Sequence, residues 1–512
     1  MRFVGVISGE VKPSQFNIEL STADVERGSF IKVNHETYGW VLARIDDMKR
    51  YINNKGEEVL MASAYAIGYK QNNQILIPKT PFKPKSRVYT ADRELIMDIL
   101  GIRKSKKNSI YLGLLEGHNV PVYLDVGKTI GKHISILAKT GAGKSYTVGV
   151  ILEELLKNDF PIVIIDPHGE YGSLRYENDD YDAMLKFNVK PRSYDAQIKE
   201  YTANIIINPD AEKLTLKPQF SLEELIEIMP MKLNDKQKEI LYNALRRLEH
   251  QEYTIQDIIN AVRLDKSGSK WKVISGLETL RNSGIFEGKP ITKEQLVRRG
   301  QLTIINLKGT EPRIQELILT RIATDLFNSI KISEIPRFLF LIEEAHNFCP
   351  ERGFGDAFSS QILRTIASEG RKFGFHLCVV SQRPARIDKN VLSQCNTQII
   401  LKVTNPNDLK AISQSIEGFT PGMENIIKEL SVGQALVVGE PVEQPIVVNI
   451  RARETKHGVL GREINSELGE KRQGVIEKIK PVFIKDEREI MREKIIEKKS
   501  LIDKIKSIFL RD

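Results

Sequence analysis

Hydrophobic and polar positions change their rhythm along this chain. Up to about residue 125, apolar side chains alternate with polar ones, as in Phe16, Ile18 and Leu20, in Val41, Ala43 and Ile45, and in Ile110, Leu112 and Leu114. A period of two belongs to a strand with one buried face. Gly28, Gly39, Pro78, Pro81 and Pro84 punctuate these runs. One helix, Asp92 to Leu100, interrupts them, with Thr90 or Asp92 near its start. Short alternating strands between turn signals predict a small β-barrel or sandwich over 1–125.

From about 126 the rhythm becomes compact apolar runs alternating with helical patterns. The runs are Ile134–Leu137, Ile162–Ile165, Leu302–Leu307, Phe338–Ile342, Leu377–Val380 and Ile399–Val403, and helix-like stretches such as Ser145–Leu156 and Ile314–Ile330 follow most of them. That alternation predicts an α/β domain over 126–455, with a parallel sheet covered by helices on both faces. Ala435–Val438 and Ile446–Ile450 flank Pro441 and read as an edge hairpin. Residues 219–289 break the rhythm. Asn234 and Gln237 form a capping-box pair ahead of Ile240, Leu241, Ala244, Leu245 and Leu248, and Trp271, Ile274, Leu277 and Leu280 repeat the helical spacing. This is a helical insertion. Residues 456–512 turn polar and end in a charged helix with Ile495, Ile502, Ile505 and Phe509 on one face.

Composition narrows the class. The chain has 512 residues, 41% hydrophobic and 28% charged, so packed cores are expected and wholesale disorder is excluded. Seventy-six Lys and Arg against 67 Asp and Glu give +9, which permits a polyanionic partner without requiring one. Cys349, Cys378 and Cys395 lie in or beside apolar runs at spacings that fit neither a disulfide framework nor a zinc site, so buried free thiols are expected. No signal-peptide pattern opens the chain and no apolar run approaches about 18 residues, so a cytoplasmic protein without a membrane span is expected.

Residues 138–145, Ala138-Lys139-Thr140-Gly141-Ala142-Gly143-Lys144-Ser145, carry the chemistry. This is a phosphate-binding loop with Ala138 in place of the usual first glycine. Gly141 and Gly143 let successive N–H groups curl toward an anion, and the following helix offers its positive end. Lys144 is expected on the β- and γ-phosphates of ATP and the Ser145 hydroxyl on Mg²⁺. Thr140, Ala142 and Tyr146 complete the expected nucleotide contacts. Glu343 and Glu344 end the run Phe338–Ile342, at the sheet edge where ligands of open α/β sheets bind. Glu343 is expected near Mg²⁺ and Glu344 on the attacking water. Asp166 and Glu170, in Ile164-Ile165-Asp166-Pro167-His168-Gly169-Glu170-Tyr171, are candidates for the water or magnesium network. Gln382, in Val380-Ser381-Gln382-Arg383-Pro384, suits a γ-phosphate sensor. Arg371, between Gly370 and Gly374, suits an arginine that reaches a neighbouring subunit's nucleotide, with Arg364 and Arg383 as alternatives.

Lys132-His133 before the loop, together with AKTGAGKS, IIDPHGEY, FLIEEAH, SEGRKFG, VSQRP and ILKVTNPND, resembles the HerA family of the HerA–FtsK group of ATPases. The resemblance covers about 126–455. It implies a RecA-like core with an N-terminal β-barrel, a helical insertion and a C-terminal segment that braces a neighbour. It also implies an archaeal hexameric translocase or helicase driven by ATP on duplex DNA ends, paired with a NurA-type nuclease in double-strand break repair. By position, Lys144, Ser145, Glu343 and Glu344 match the hydrolysis residues, Gln382 the sensor and Arg371 the trans-acting arginine. Lys132 matches a second basic residue near the phosphates, although lysine lacks arginine's planar bidentate geometry. Loops 350–358 and 384–390 are expected to face DNA. Two other readings remain: a conjugation- or secretion-type ring ATPase, and a nucleotide-gated DNA clamp for a nuclease.

Overall fold

The computed structural model describes residues 2–458, apart from 53–55, 73, 104, 105, 230, 250 and 251. The expected charged helix over 480–512 and nearly all of the 456–512 brace lie outside the described residues.

The N-terminal strands are β1 (Phe3–Val11), β2 (Gln15–Leu20), β3 (Phe30–His35), β4 (Gly39–Ile52), β5 (Glu58–Gln71), β6 (Gln74–Leu76) and β7 (Arg87–Thr90). They pair in the order β2-β1-β7-β3-β4-β5-β6, and β2 also pairs with β5. That extra pairing closes a barrel and removes its free edges. Burial alternates along β2, with Phe16, Ile18 and Leu20 inside, where they meet Val4, Ile31, Val41 and Ala43. The helix Arg93–Leu100 begins at Asp92, whose side chain accepts from the N–H of Leu95.

The second sheet holds β8 (Ser109–Leu115), β9 (Pro121–Asp125), β10 (Ile134–Leu137), β11 (Ile162–Asp166), β12 (Ile198–Thr202), β13 (Glu212–Lys213), β14 (Leu302–Asn306), β15 (Phe338–Ile342), β16 (Phe375–Ser381), β17 (Thr397–Ile400), β18 (Gln434–Gly439) and β19 (Ile446–Ile450). Their order is β13-β12-β14-β11-β15-β16-β10-β17-β18-β19-β8-β9. From β13 to β17 neighbours run parallel, and from β18 onward they run antiparallel. The central strands are buried on both faces, which explains why they read as unbroken apolar runs.

The hairpin β8–β9 falls inside the range 1–125 expected for the barrel, yet it extends the larger sheet. Val448, Asn449 and Ile450 of β19 align with Leu115, Leu114 and Gly113. Gly113 permits this approach, since a Cβ there would lie 1.9 Å from the Asn449 carbonyl oxygen. For the same reason the β18–β19 hairpin is interior to the sheet, not at its edge. Alternation alone could not assign the hairpin, because a half-buried strand has the same period in either sheet.

Helices Leu222–Ile228, Asp235–Arg247, Ile255–Arg263 and Lys270–Asn282 form the insertion, and Asn234 with Gln237 makes the capping box. Trp271 departs from expectation. It is 63% exposed while Ile274, Leu277 and Leu280 are buried, because it sits in the first turn, where the helix has not yet reached the core. All three cysteines are buried and free. Burial pushes the Cys349 thiol up to about 12.

After β19 the chain crosses the helix Lys144–Lys157 through a buried ionic knot. Glu153 accepts from Arg451 at 2.9 Å, from the Thr455 hydroxyl at 2.6 Å and from the N–H groups of Glu454 and Thr455. Glu154 accepts from Arg451 at 2.8 Å. Gly149 makes room, because a Cβ there would lie 2.7 Å from the Arg453 guanidinium carbon. Glu153→Ala would leave the buried Arg453 without its carboxylate and Arg451 with Glu154 alone, beside a cavity. It should lower unfolding free energy by about 3–5 kcal/mol, read by denaturant titration.

Candidate functional site

Parallel register brings the candidate residues to one edge. Leu137 lies beside Ser381, Ile342 beside Val379, and Ile165 beside Ile342. The residues that follow β10, β11, β15 and β16 therefore emerge side by side. Gly141 and Gly143 carry φ of +78° and +95°, and Gly143 caps the helix Lys144–Lys157. A left-handed backbone at both positions is what glycine tolerates at low cost.

Lys144 is 6% exposed. Its ammonium donates to Glu343 at 2.5 Å and meets Glu344 at 3.2 Å. Burial acts against the charge of Lys144, but the two carboxylates outweigh it and hold the amine above its ordinary value. Burial wins at Glu343, whose carboxyl is raised despite Lys144 and Tyr171. The Tyr171 hydroxyl donates to the other Glu343 oxygen.

Glu344 adopts φ +48° and ψ +46°. A non-glycine residue is held there at a cost of about 1–2 kcal/mol. The conformation turns its carboxylate toward Gln382, which donates from Nε2 at 2.9 Å. The Thr140 hydroxyl donates to the Gln382 side-chain oxygen Oε1, so one chain of hydrogen bonds links the phosphate loop, Gln382 and Glu344. His346 Nδ1 lies 3.3 Å from Glu344 and 3.0 Å from the Ser381 hydroxyl. Ser145 donates to Glu170.

Three expected placements change. Asp166 directs its oxygens at the N–H groups of His168, Gly169 and Tyr171. Burial, and next the charge of Glu343, raise it to about 7. Both of its oxygens are engaged in shaping the 166–171 turn. Tyr146 accepts through its hydroxyl from the Arg453 N–H at 2.8 Å, and its ring packs edge-on against His457. It anchors the C-terminal crossing. Lys132 pairs with Glu440 at 2.6 Å. It precedes β10 while the loop follows it, so a strand of four residues, about 13 Å, separates them. Arg371 is exposed and precedes β16, on that same far edge. Of the alternatives, Arg364 pairs with the buried Asp388 at 2.7 Å, and Arg383 is exposed at the near edge. His168 is exposed.

Tyr171 and His346 are further site residues, beyond those expected. Both stand inside quoted motifs, but only the fold shows that they touch Glu343 and Glu344. Oxygen donors at Ser145, Glu170 and Glu343 suit a hard cation such as Mg²⁺ shared with phosphate oxygens. Among the described residues no group of three His, Cys, Asp or Glu is placed to hold a metal without such help.

The loops after β15 and β16 zip together. Pro350 bridges Ile387, the Glu351 N–H donates to the Arg386 carbonyl at 2.8 Å, and the Asp388 N–H donates to the Cys349 carbonyl at 2.9 Å. Arg386 lies over the Phe354 ring at 5.7 Å. Arg352, Arg383, Arg386 and Lys389 are exposed there.

The model of the HerA helicase central domain matches residues 110–326, and that of the HerA-like C-terminal region matches 289–479. A Methanocaldococcus jannaschii protein named probable DNA double-strand break repair helicase HerA is 30% identical, over 80% of this chain and 88% of its own. The chain belongs to the HerA helicase family. The Pyrococcus furiosus DNA double-strand break repair helicase HerA is 26% identical over 88% of this chain and 92% of its own. The HerA of Saccharolobus solfataricus is 27% identical over 75% and 76%. Among solved structures, VirB4 of Thermoanaerobacter pseudethanolicus superposes with a TM-score of 0.49 at 17% identity, over 69% of this chain and 98% of that one. No helix among the described residues is long and apolar enough to cross a membrane.

Glu316 supports the base of the first loop by accepting from the Phe358 N–H at 3.3 Å. Burial raises it from 4.5 to about 7. The folded form therefore keeps a proton that the unfolded chain releases, and stability falls as pH rises from about 4.5 to 7. Glu316→Gln stays neutral and keeps the acceptor, so melting temperatures of the variant should exceed wild type increasingly across that window and run parallel above it.

Proposed function

We propose that this chain is the ATP-hydrolysing subunit of a ring, a hexamer, that moves along duplex DNA ends in double-strand break repair beside a NurA-type nuclease. The relatives named as double-strand break repair helicases support this role. The observation that carries it is the buried bridge from Lys144 to Glu343 and Glu344 beneath the phosphate loop.

Mg²⁺-bound ATP supplies the transferable phosphoryl group and the Lewis acid. With ATP bound, Lys144 would exchange the carboxylates for phosphate oxygens, and Ser145 and Glu343 would hold the magnesium. Glu344, oriented by Gln382 and His346, accepts a hydrogen bond from the attacking water and aligns it. Gln382, joined to Thr140, relays the state of the γ-phosphate to the loop that follows it. Arg371 stands on the edge away from its own phosphate loop, so a second copy must present it, and closed repetition of that contact makes a ring. Lys132 shares that edge and would act toward the same neighbour.

The motor runs from the β8–β9 hairpin to about 455, with 219–289 inserted. The zipped loops 350–358 and 384–390 would carry Arg352, Arg386 and Lys389 to the DNA backbone, since a motor on arbitrary sequence must avoid reading bases. The barrel would receive the nuclease. A cytoplasmic location fits this work.

Lys144→Ala should abolish DNA-stimulated ATP turnover, and Glu344→Gln should bind ATP yet lose turnover. Undiminished hydrolysis in either variant would remove the assignment. Arg371→Ala alone should slow turnover on the order of 10³-fold. Rings mixed from Arg371→Ala and Lys144→Ala subunits should regain activity at interfaces joining an intact Lys144 to an intact Arg371, and well-mixed rings without recovery would exclude action in trans.

A further inference from the structure

His133 is fully buried and adopts φ +62°, a conformation that few non-glycine residues occupy. Both of its ring nitrogens are engaged. Nδ1 accepts from the Leu377 N–H at 2.9 Å, and Nε2 lies 3.0 Å from the Ala367 carbonyl oxygen. An amide N–H can only donate and a carbonyl can only accept. The ring is therefore neutral with its proton on Nε2. Burial, and then the neighbouring His376, keep His133 down at about 4, so this tautomer persists at neutral pH.

The two partners lead to different parts of the machinery. Leu377 lies in β16, the strand that delivers Ser381 and Gln382. Ala367 lies one helical turn before Arg371 in the helix Ser359–Phe373. His133 itself sits immediately before β10, which runs into the phosphate loop. The end of the Arg371 helix is also pressed onto β16. At Gly370 a Cβ would lie 2.8 Å from the Phe375 carbonyl oxygen, and Gly374 stops the helix at φ +90°. With close packing on one side and the imidazole on the other, the last turn has little freedom.

We propose that His133 is a positioning residue for Arg371. It fixes the last turn of the arginine-bearing helix to the base of the strand that feeds the phosphate loop. A copy's own loop and the arginine it offers its neighbour are thereby held on one rigid unit. This rests on reading Arg371 as the arginine supplied across the subunit interface. Loss of the Ala367 contact would let that turn tilt, and a misplacement near 1 Å can cost about 100-fold in rate.

His133→Asn tests it. Asparagine tolerates a positive φ and can still accept from Leu377, but it cannot span to Ala367. The full-length protein should keep its melting temperature and its affinity for a non-hydrolysable ATP analogue, while DNA-stimulated kcat falls about 100-fold. The double variant with Arg371→Ala should be no slower than Arg371→Ala alone, and mixing His133→Asn with Lys144→Ala subunits should restore turnover. His133→Gln, whose amide reaches farther toward Ala367, should recover part of the rate, and it serves as the test if the asparagine variant does not fold. Wild-type turnover in His133→Asn beside an inactive Arg371→Ala would overturn this inference alone. Normal turnover in Arg371→Ala would overturn the reading beneath it. Weakened analogue binding, or losses that multiply with Arg371→Ala, would reduce His133 to a packing role and overturn the proposal.

Discussion

One buried ammonium, that of Lys144, balances the carboxylates gathered at the carboxyl edge of the sheet. Glu343 and Glu344 both lie against it, and Asp166 stands close enough for Glu343 to raise its pKa. Such a cluster is costly to bury, and removing one partner leaves charge without compensation. Its arrangement follows from the parallel register of β10, β11, β15 and β16, which sets the four strand ends in a row. Lys144 and the Tyr171 hydroxyl meet the two Glu343 oxygens, and the Gln382 amide and His346 meet those of Glu344. A nucleotide that draws Lys144 away would disturb all of these contacts together, which gives the site a physical means of reporting occupancy.

The same helix that begins at Lys144 is gripped at its far side. Glu153 and Glu154 hold Arg451 and Arg453 in a knot with almost no solvent exposure, and Gly149 leaves the space the guanidinium fills. Tyr146, next to Ser145, is part of that grip through the Arg453 N–H. The chain beyond β19 is therefore fixed to the phosphate-loop helix by charge and shape together.

The two edges of the sheet carry different chemistry. The phosphate loop, Glu343, Glu344 and Gln382 stand at one edge, with Arg371 and Lys132 at the other. In the proposed ring each subunit would offer two half-sites facing opposite ways, and head-to-tail repetition would join them. The modest net charge of +9 matters less than its distribution: Arg352, Arg383, Arg386 and Lys389 gather on the paired loops that leave β15 and β16.

Much was legible in the sequence because it depends on short-range patterns. The glycines and Lys144-Ser145 of the phosphate loop, the unbroken apolar strands and the Asn234–Gln237 box each lie within a few residues of the feature they create. What needed the tertiary structure involves partners far apart in the chain. Residues 109–125 read as strands, but only the pairing with β19 shows which sheet they join. Lys132, Tyr146 and Asp166 have side chains suited to a nucleotide site, yet their partners are Glu440, the Arg453 backbone and the 166–171 turn. Tyr171 on Glu343 and His133 on Ala367 bridge 172 and 234 positions. Local periodicity sets which face of an element is apolar. The direction a polar side chain takes at a strand end is set by whichever distant donor or acceptor the folded chain brings within about 3 Å.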